Sequence, residues 1–93
     1  MSTQTNLLSG AAAGLPDLAG QRRVVGAKQI RKAFNNGSVS KVFLARNADP
    51  AITEPLVALC QHHCVDISWV KSMTDLGHAC GIEVGAAAAA IVA

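Results

Sequence analysis

Along "GAKQIRKAFNNG", residues 26–37, the apolar positions Ala27, Ile30, Ala33 and Phe34 recur at three- and four-residue spacing, with Lys28, Arg31 and Lys32 between them. That spacing predicts a helix that packs with one face and offers cations with another. Gly26 can precede the helix, and Gly37 after Asn36 suits a left-handed terminus. "KVFLA" (41–45) is a short unbroken apolar run, the pattern of a strand buried on both faces. "RNADPAITEP" reads as a loop in which Asp49-Pro50 opens a turn. Thr53 is then expected to cap the helix "EPLVALCQHH", with Pro55 in its first turn. "VDISWV" alternates Val65, Ile67 and Trp69 with Asp66, Ser68 and Val70, a half-buried strand in which Trp69 is expected to be core. Ser72 can cap "MTDLGHAC", and Gly81 can end it.

At the N-terminus, residues 1–14 read as a weakly specified tail, leaving residues 15–93 as a single domain. "LPDLAGQ" can form a short helix between Pro16 and Gly20, and "RRVV" is a short strand candidate. The last segment, "VGAAAAAIVA", pulls two ways. Alanine favours a helix, yet a central strand packed tightly beside helices also favours small side chains. The alternation of strands and helices predicts an α/β sandwich.

Composition changes this picture in two places. Of the 47 hydrophobic residues 17 are alanine, so Val, Ile, Leu, the two Phe and Trp69 must carry the packing. With no tyrosine, an aromatic base-stacking platform is not expected. No stretch reaches the roughly 20 apolar residues of a membrane helix. The apolar centre near the N-terminus lacks a preceding Lys or Arg, against a secretory signal. An odd count of three cysteines does not make a disulfide framework, and a cytoplasmic location is expected.

The charge is concentrated. Arg22, Arg23, Lys28, Arg31, Lys32, Lys41 and Arg46 are seven of the eight basic residues, and residues 22–46 contain no Asp or Glu. The rest of the chain carries one lysine against six carboxylates. Such asymmetry within one domain points to a polyanionic partner, with nucleic acid the commonest.

"CQHHC" (60–64) raises a different chemistry, with His78 and Cys80 as further ligands for a metal. Zinc needs about four ligands converging tetrahedrally. Helical spacing instead puts Cys60 on the apolar stripe with Leu56 and Leu59, where a thiol behaves as a small hydrophobe. His62 and His63 fall in a last helical turn, suited to free carbonyls. Cys64 takes a helix-ending position. Asp49 and Asp75 lack an evident carboxylate partner, and no nucleophile has a base beside it. The chain therefore reads as a non-enzyme with no metal or cofactor. The alternative is a small Cys/His metal-dependent or thiol enzyme.

"VVGAKQIRKAFNNGSVSKVFLARNADP" followed by "LGHACGIEVGAAAAAIVA" resembles the kink-turn-binding ribosomal protein superfamily, that of large-subunit protein "L-seven-Ae". It is most similar to the small bacterial members, over nearly all of residues 15–93. The resemblance implies a three-layer α/β/α sandwich around a mixed sheet of about four strands, with "AAAAIV" as a strand. It also implies a non-catalytic protein that binds kink-turns, RNA helices bent sharply at tandem sheared G·A pairs. The implied partner is structured RNA, ribosomal or riboswitch among others, with the ribosome as a further candidate and a free state that is monomeric. Some relatives use the same fold for protein contacts.

Two segments carry the implied site. At the helix start, Gly26, Lys28, Gln29 and Lys32 match the family motif. Archaeal and eukaryotic members usually have Asn and Glu where this chain has Lys28 and Gln29, whereas bacterial members are similar to the Lys-Gln form. Lysines can donate to guanine O6 and N7, and Gln29 can donate and accept on a base edge. Arg31 shares the helix face and is expected on a phosphate. In the second segment, Gly81–Gly85, the resemblance puts Ile82 and Val84 against a flipped-out nucleotide, with Glu83 accepting from a base or sugar hydroxyl.

Overall fold

The structure, a computed structural model, describes residues 22–92. The expected tail over 1–14 and the short helix after it lie outside the described residues. Among these residues seven elements follow one another: β1 (Arg23–Val25), α1 (Ala27–Asn35), β2 (Val39–Ala45), α2 (Pro50–His63), β3 (Asp66–Val70), α3 (Met73–Cys80) and β4 (Ala88–Val92). The strands form one mixed sheet in the order β1-β4-β2-β3. β2 and β3 run parallel, joined by the α2 crossover, and β4 runs antiparallel to both β1 and β2.

Alternation along β2 explains the layers. Val42 and Leu44 point to one face, where they pack with Ile30 and Phe34 of α1 and Leu56 and Cys60 of α2. Phe43 and Ala45 point to the other, against Leu76 and Cys80 of α3. The unbroken run "KVFLA" is thus a strand covered on both sides, and the fold is the three-layer α/β/α sandwich expected. β4 divides in the same way, Ala88 and Ala90 on the first face and Ala89 on the second. All three are fully buried. Paired backbone on both sides and close-packed layers above and below outweigh the helix propensity of alanine, which has little surface of its own to bury.

α2 departs from expectation at its start. Asp49, and not Thr53, is the N-cap: its carboxylate accepts from the Ala51 amide at 2.9 Å. Pro50 takes the first helical position, where a missing N–H costs nothing. Thr53 is buried inside the helix. Pro55 lies beyond the first turn, on the exposed side, where water can satisfy the carbonyl it leaves free. Two capping signals four residues apart competed, and the one followed by proline won.

The three helices among the described residues end alike. The residues Gly37, Cys64 and Gly81 have φ of 68°, 57° and 78°, and each is followed by an amide that reaches back five residues. Cys64 is the one non-glycine residue with positive φ among the described residues.

Candidate nucleic-acid interface

β1 leaves the sheet at Gly26, whose φ of 99° and ψ of 147° belong to a region that glycine almost alone occupies. This turn lets the Gly26 amide donate to the Ala88 carbonyl at 2.9 Å while its own carbonyl accepts from Ile30 at 3.0 Å. α1 therefore starts against the first residue of β4. No side chain caps the helix, and no acid lies in its first turn. Its free amides and the positive end of its dipole face outward. Ile30, Ala33 and Phe34 are buried, and Lys28, Gln29, Arg31 and Lys32 are all exposed.

The loop from α3 to β4 is fastened at both ends. After Gly81, the Ile82 amide donates to the Gly77 carbonyl at 3.1 Å. Further on, the Ala86 amide donates to the Met73 carbonyl at 3.0 Å, and the Met73 amide donates to Asn47 Oδ1 at 2.9 Å. Between these ties Ile82 is half-buried against the α3-side core, Glu83 is exposed and Val84 is 70% exposed. The Ala45 amide then holds the Ala87 carbonyl at 2.9 Å, one residue before the Gly26 bond to Ala88. The structure thus brings the two sequence-defined segments to one end of the sheet. Ile82 differs from Val84: it anchors the loop from beneath.

Two supporting residues were not singled out from the sequence. A Cβ at Gly77 would sit 2.1 Å from the Val84 carbonyl oxygen, so the loop lies directly on the helix backbone there. The signal was present: a glycine inside a helix costs about 1 kcal/mol relative to alanine and marks a close approach. Asn47 gave no such signal, because its partner Met73 is 26 residues away.

Trp69 is a correction. It is 43% exposed instead of core. β3 is an edge strand, and α2 covers only part of its outer flank, while Val70 on the opposite face is buried under α3. Val65 and Ile67 on the same face do pack against the core, and the face is left open only at its Trp69 end.

"CQHHC" ends α2. Cys60 is fully buried among Ile30, Phe34 and Leu56, and burial pushes its thiol up. Cys80 lies in the other core layer. Burial raises its thiol too, partly offset by the charge and hydrogen bond of Arg23. The Arg23 guanidinium also donates to the Cys80 carbonyl. Cys64 is exposed, and the His63 ring rests 5.0 Å from that of Phe34. Among the described residues no three His, Cys, Asp or Glu side chains gather where they could hold a metal ion. Nor is any helix among them long and apolar enough to cross a membrane.

Comparison with known proteins agrees with this architecture. An RNA-binding protein of Bacillus pumilus is 50% identical over 72 residues, which span 77% of this chain and 88% of that protein. The large ribosomal subunit protein eL8 of Halobacterium salinarum is 36% identical over 69 residues, 73% of this chain and 58% of that one. Among solved structures, the Giardia lamblia 15.5kD RNA binding protein superposes with a TM-score of 0.72 at 30% identity, covering 77% of this chain and 61% of that one. The model of one family matches residues 15–93. The chain belongs to the ribosomal protein L7Ae/L30e/S12e/Gadd45 family.

Proposed function

We propose that this chain is a non-catalytic RNA-binding protein that recognises kink-turns in structured RNA, ribosomal or riboswitch among others, and stabilises their bent form. The observation that carries the reading is the hydrogen bond from Gly26 to Ala88, which sets the cationic start of α1 beside the loop that presents Val84. Relatives named as RNA-binding proteins support it. So does the basic window, free of acids, in which α1 lies.

In this mechanism Lys28 and Lys32 donate to guanine O6 and N7 in the groove that a kink opens, and Gln29 reads an adjoining base edge. The uncapped amides after Gly26 and the Arg31 guanidinium take phosphates. Val84 covers the flipped nucleotide, Ile82 supports it from below, and Glu83 accepts from a hydroxyl or amino group. Because the bent RNA alone makes all these contacts, binding draws the RNA into that conformer. Catalysis is no part of the reading: burial raises the thiols of Cys60 and Cys80, which disfavours the nucleophilic thiolate. On this reading residues 15–93 form the binding unit behind a short tail, and the protein works as a monomer in the cytoplasm, with the ribosome among its partners. The test is fluorescence energy transfer across a labelled kink-turn. Protein should raise the bent population of the intact RNA and leave a G·A-disrupted RNA extended. Equal effects on both would overturn it.

A further inference from the structure

A groove of about 370 Å³ opens between the start of α2 and the β3 edge, lined by Arg46, Ala48, Pro50, Thr53, Glu54, Val57 and Trp69. Its floor is the exposed indole of Trp69, and the Arg46 guanidinium carbon stands 6.0 Å from the ring centre. In register, Trp69 lies opposite Leu44, so the ring is on the α2 side of the sheet, at the open edge that β3 forms.

The groove lies at the same end of the sheet as the proposed RNA surface. Three backbone bonds run in sequence across the same end of the sheet: Gly26 to Ala88, Ala45 to Ala87, and Arg46 to Val70. Strands lie about 4.8 Å apart, so β1 and β3 are separated by roughly 14 Å, the length of about four stacked nucleotides. Lys71 is exposed directly after Val70, and Arg46 closes the acid-free basic window. A large exposed aromatic face under a guanidinium is a site for a planar, electron-rich group with a phosphate attached. A single exposed ring is less than the aromatic base-stacking platform that the composition argues against, but it suffices to stack one base.

We infer that Trp69 and Arg46 form a second RNA subsite, which takes an unpaired nucleotide of the strand leaving the kink-turn. The base stacks on the indole in place of the guanidinium, and Arg46 moves to the adjoining phosphate. Glu54 accepts from the base amino group or the ribose hydroxyl. This deepens the kink-turn reading and rests on it.

Trp69 is the single tryptophan of the chain, so its fluorescence reports on this groove alone. The experiment titrates full-length protein with a blunt kink-turn RNA and with the same RNA carrying four unpaired nucleotides on each strand end. The extended RNA should bind about 5- to 150-fold more tightly, as stacking of one base provides. It should also quench the tryptophan, which the blunt RNA should not. Trp69→Ala should abolish the gain while binding blunt RNA as the unchanged protein does, and Arg46→Ala should lose part of it. Equal affinities with unmoved fluorescence would overturn the subsite and leave the groove to a protein segment. A gain that survives Trp69→Ala would overturn it as well. Failure of the blunt RNA to bind better than its G·A-disrupted form would instead sink the kink-turn reading.

Discussion

The amide of Gly26 donates to the carbonyl of Ala88 across 2.9 Å, joining the turn before α1 to the first residue of β4. The bond requires a backbone that only glycine adopts without strain, at φ 99°. A side chain there would meet nothing within 4 Å, so the cost of replacing it is conformational and not steric. Gly26→Ala should lose about 1–3 kcal/mol of stability in denaturant unfolding. RNA affinity should fall as well, because the first amides of α1 are re-aimed. Unchanged stability and affinity would mean that the turn is not what sets the helix.

Gly77 presents the reverse case, in which space decides. Alanine there gains about 1 kcal/mol of helix propensity. Its Cβ, however, would stand 2.1 Å from the Val84 carbonyl, and backbone must shift. Gly77→Ala should therefore weaken kink-turn binding by displacing Val84, with a measurable loss of stability in the same unfolding assay. A variant more stable than the parent, with unaltered affinity, would show that the loop is free of the helix.

Much of this was legible because the signals are local. Gly26, Gly37, Ser72 and Gly81 each mark a helix boundary, and each stands at one. The alternating layers follow from an unbroken run at β2 flanked by two amphipathic helices. What was illegible depends on distance. That β3 lies at the sheet edge follows from strand order, which no local pattern encodes, and so Trp69 was assigned to the core. Asp49 and Thr53 carry equivalent capping signals, and only Pro50 separates them. The bond from Gly26 to Ala88 joins residues 62 positions apart, and no local pattern signals it.

The cysteines differ in what they do, and a thiol reagent should separate them. Cys64 is exposed and should react at once, while Cys60 and Cys80 should react only as the protein opens. Because burial raises the thiols of Cys60 and Cys80 above 9.0, the unfolded chain loses those protons at lower pH than the folded one. Their contribution to stability is whole below the unfolded value and is lost as pH rises through the folded one. Unfolding free energy should therefore decline above about pH 9, with a shallower slope in Cys60→Ala. Three equally fast thiols would contradict the packing. Cys64→Gly, which relieves the left-handed backbone, should be tolerated or stabilise by up to about 1 kcal/mol.

Val84 is exposed enough that truncating it removes little core. Val84→Ala should cost well under the approximately 2–5 kcal/mol of a severe core truncation. It should weaken RNA that contains the flipped nucleotide and matter less when that nucleotide is deleted. A double-mutant cycle between the two changes measures the coupling. Zero coupling with a collapse in stability would make the loop structural.

On the proposed reading Lys28 and Lys32 of α1 contact bases, whereas Arg31 and the cations elsewhere in the basic window contact phosphate at most. Lys41 offers the contrast: it lies toward the opposite end of β2 from Ala45, with its ammonium 5.5 Å from the Phe43 ring on the α3 side. The decisive measurement is the dissociation constant of the unchanged protein, Lys28→Ala and Lys41→Ala for a kink-turn RNA and its G·A-disrupted form, across salt. Lys28→Ala should cost about 1–3 kcal/mol and blur the discrimination. Lys41→Ala should affect both RNAs alike and reduce the salt slope by about one unit or less. Selective loss of kink-turn preference in Lys41→Ala, with Lys28→Ala unchanged, would contradict the account.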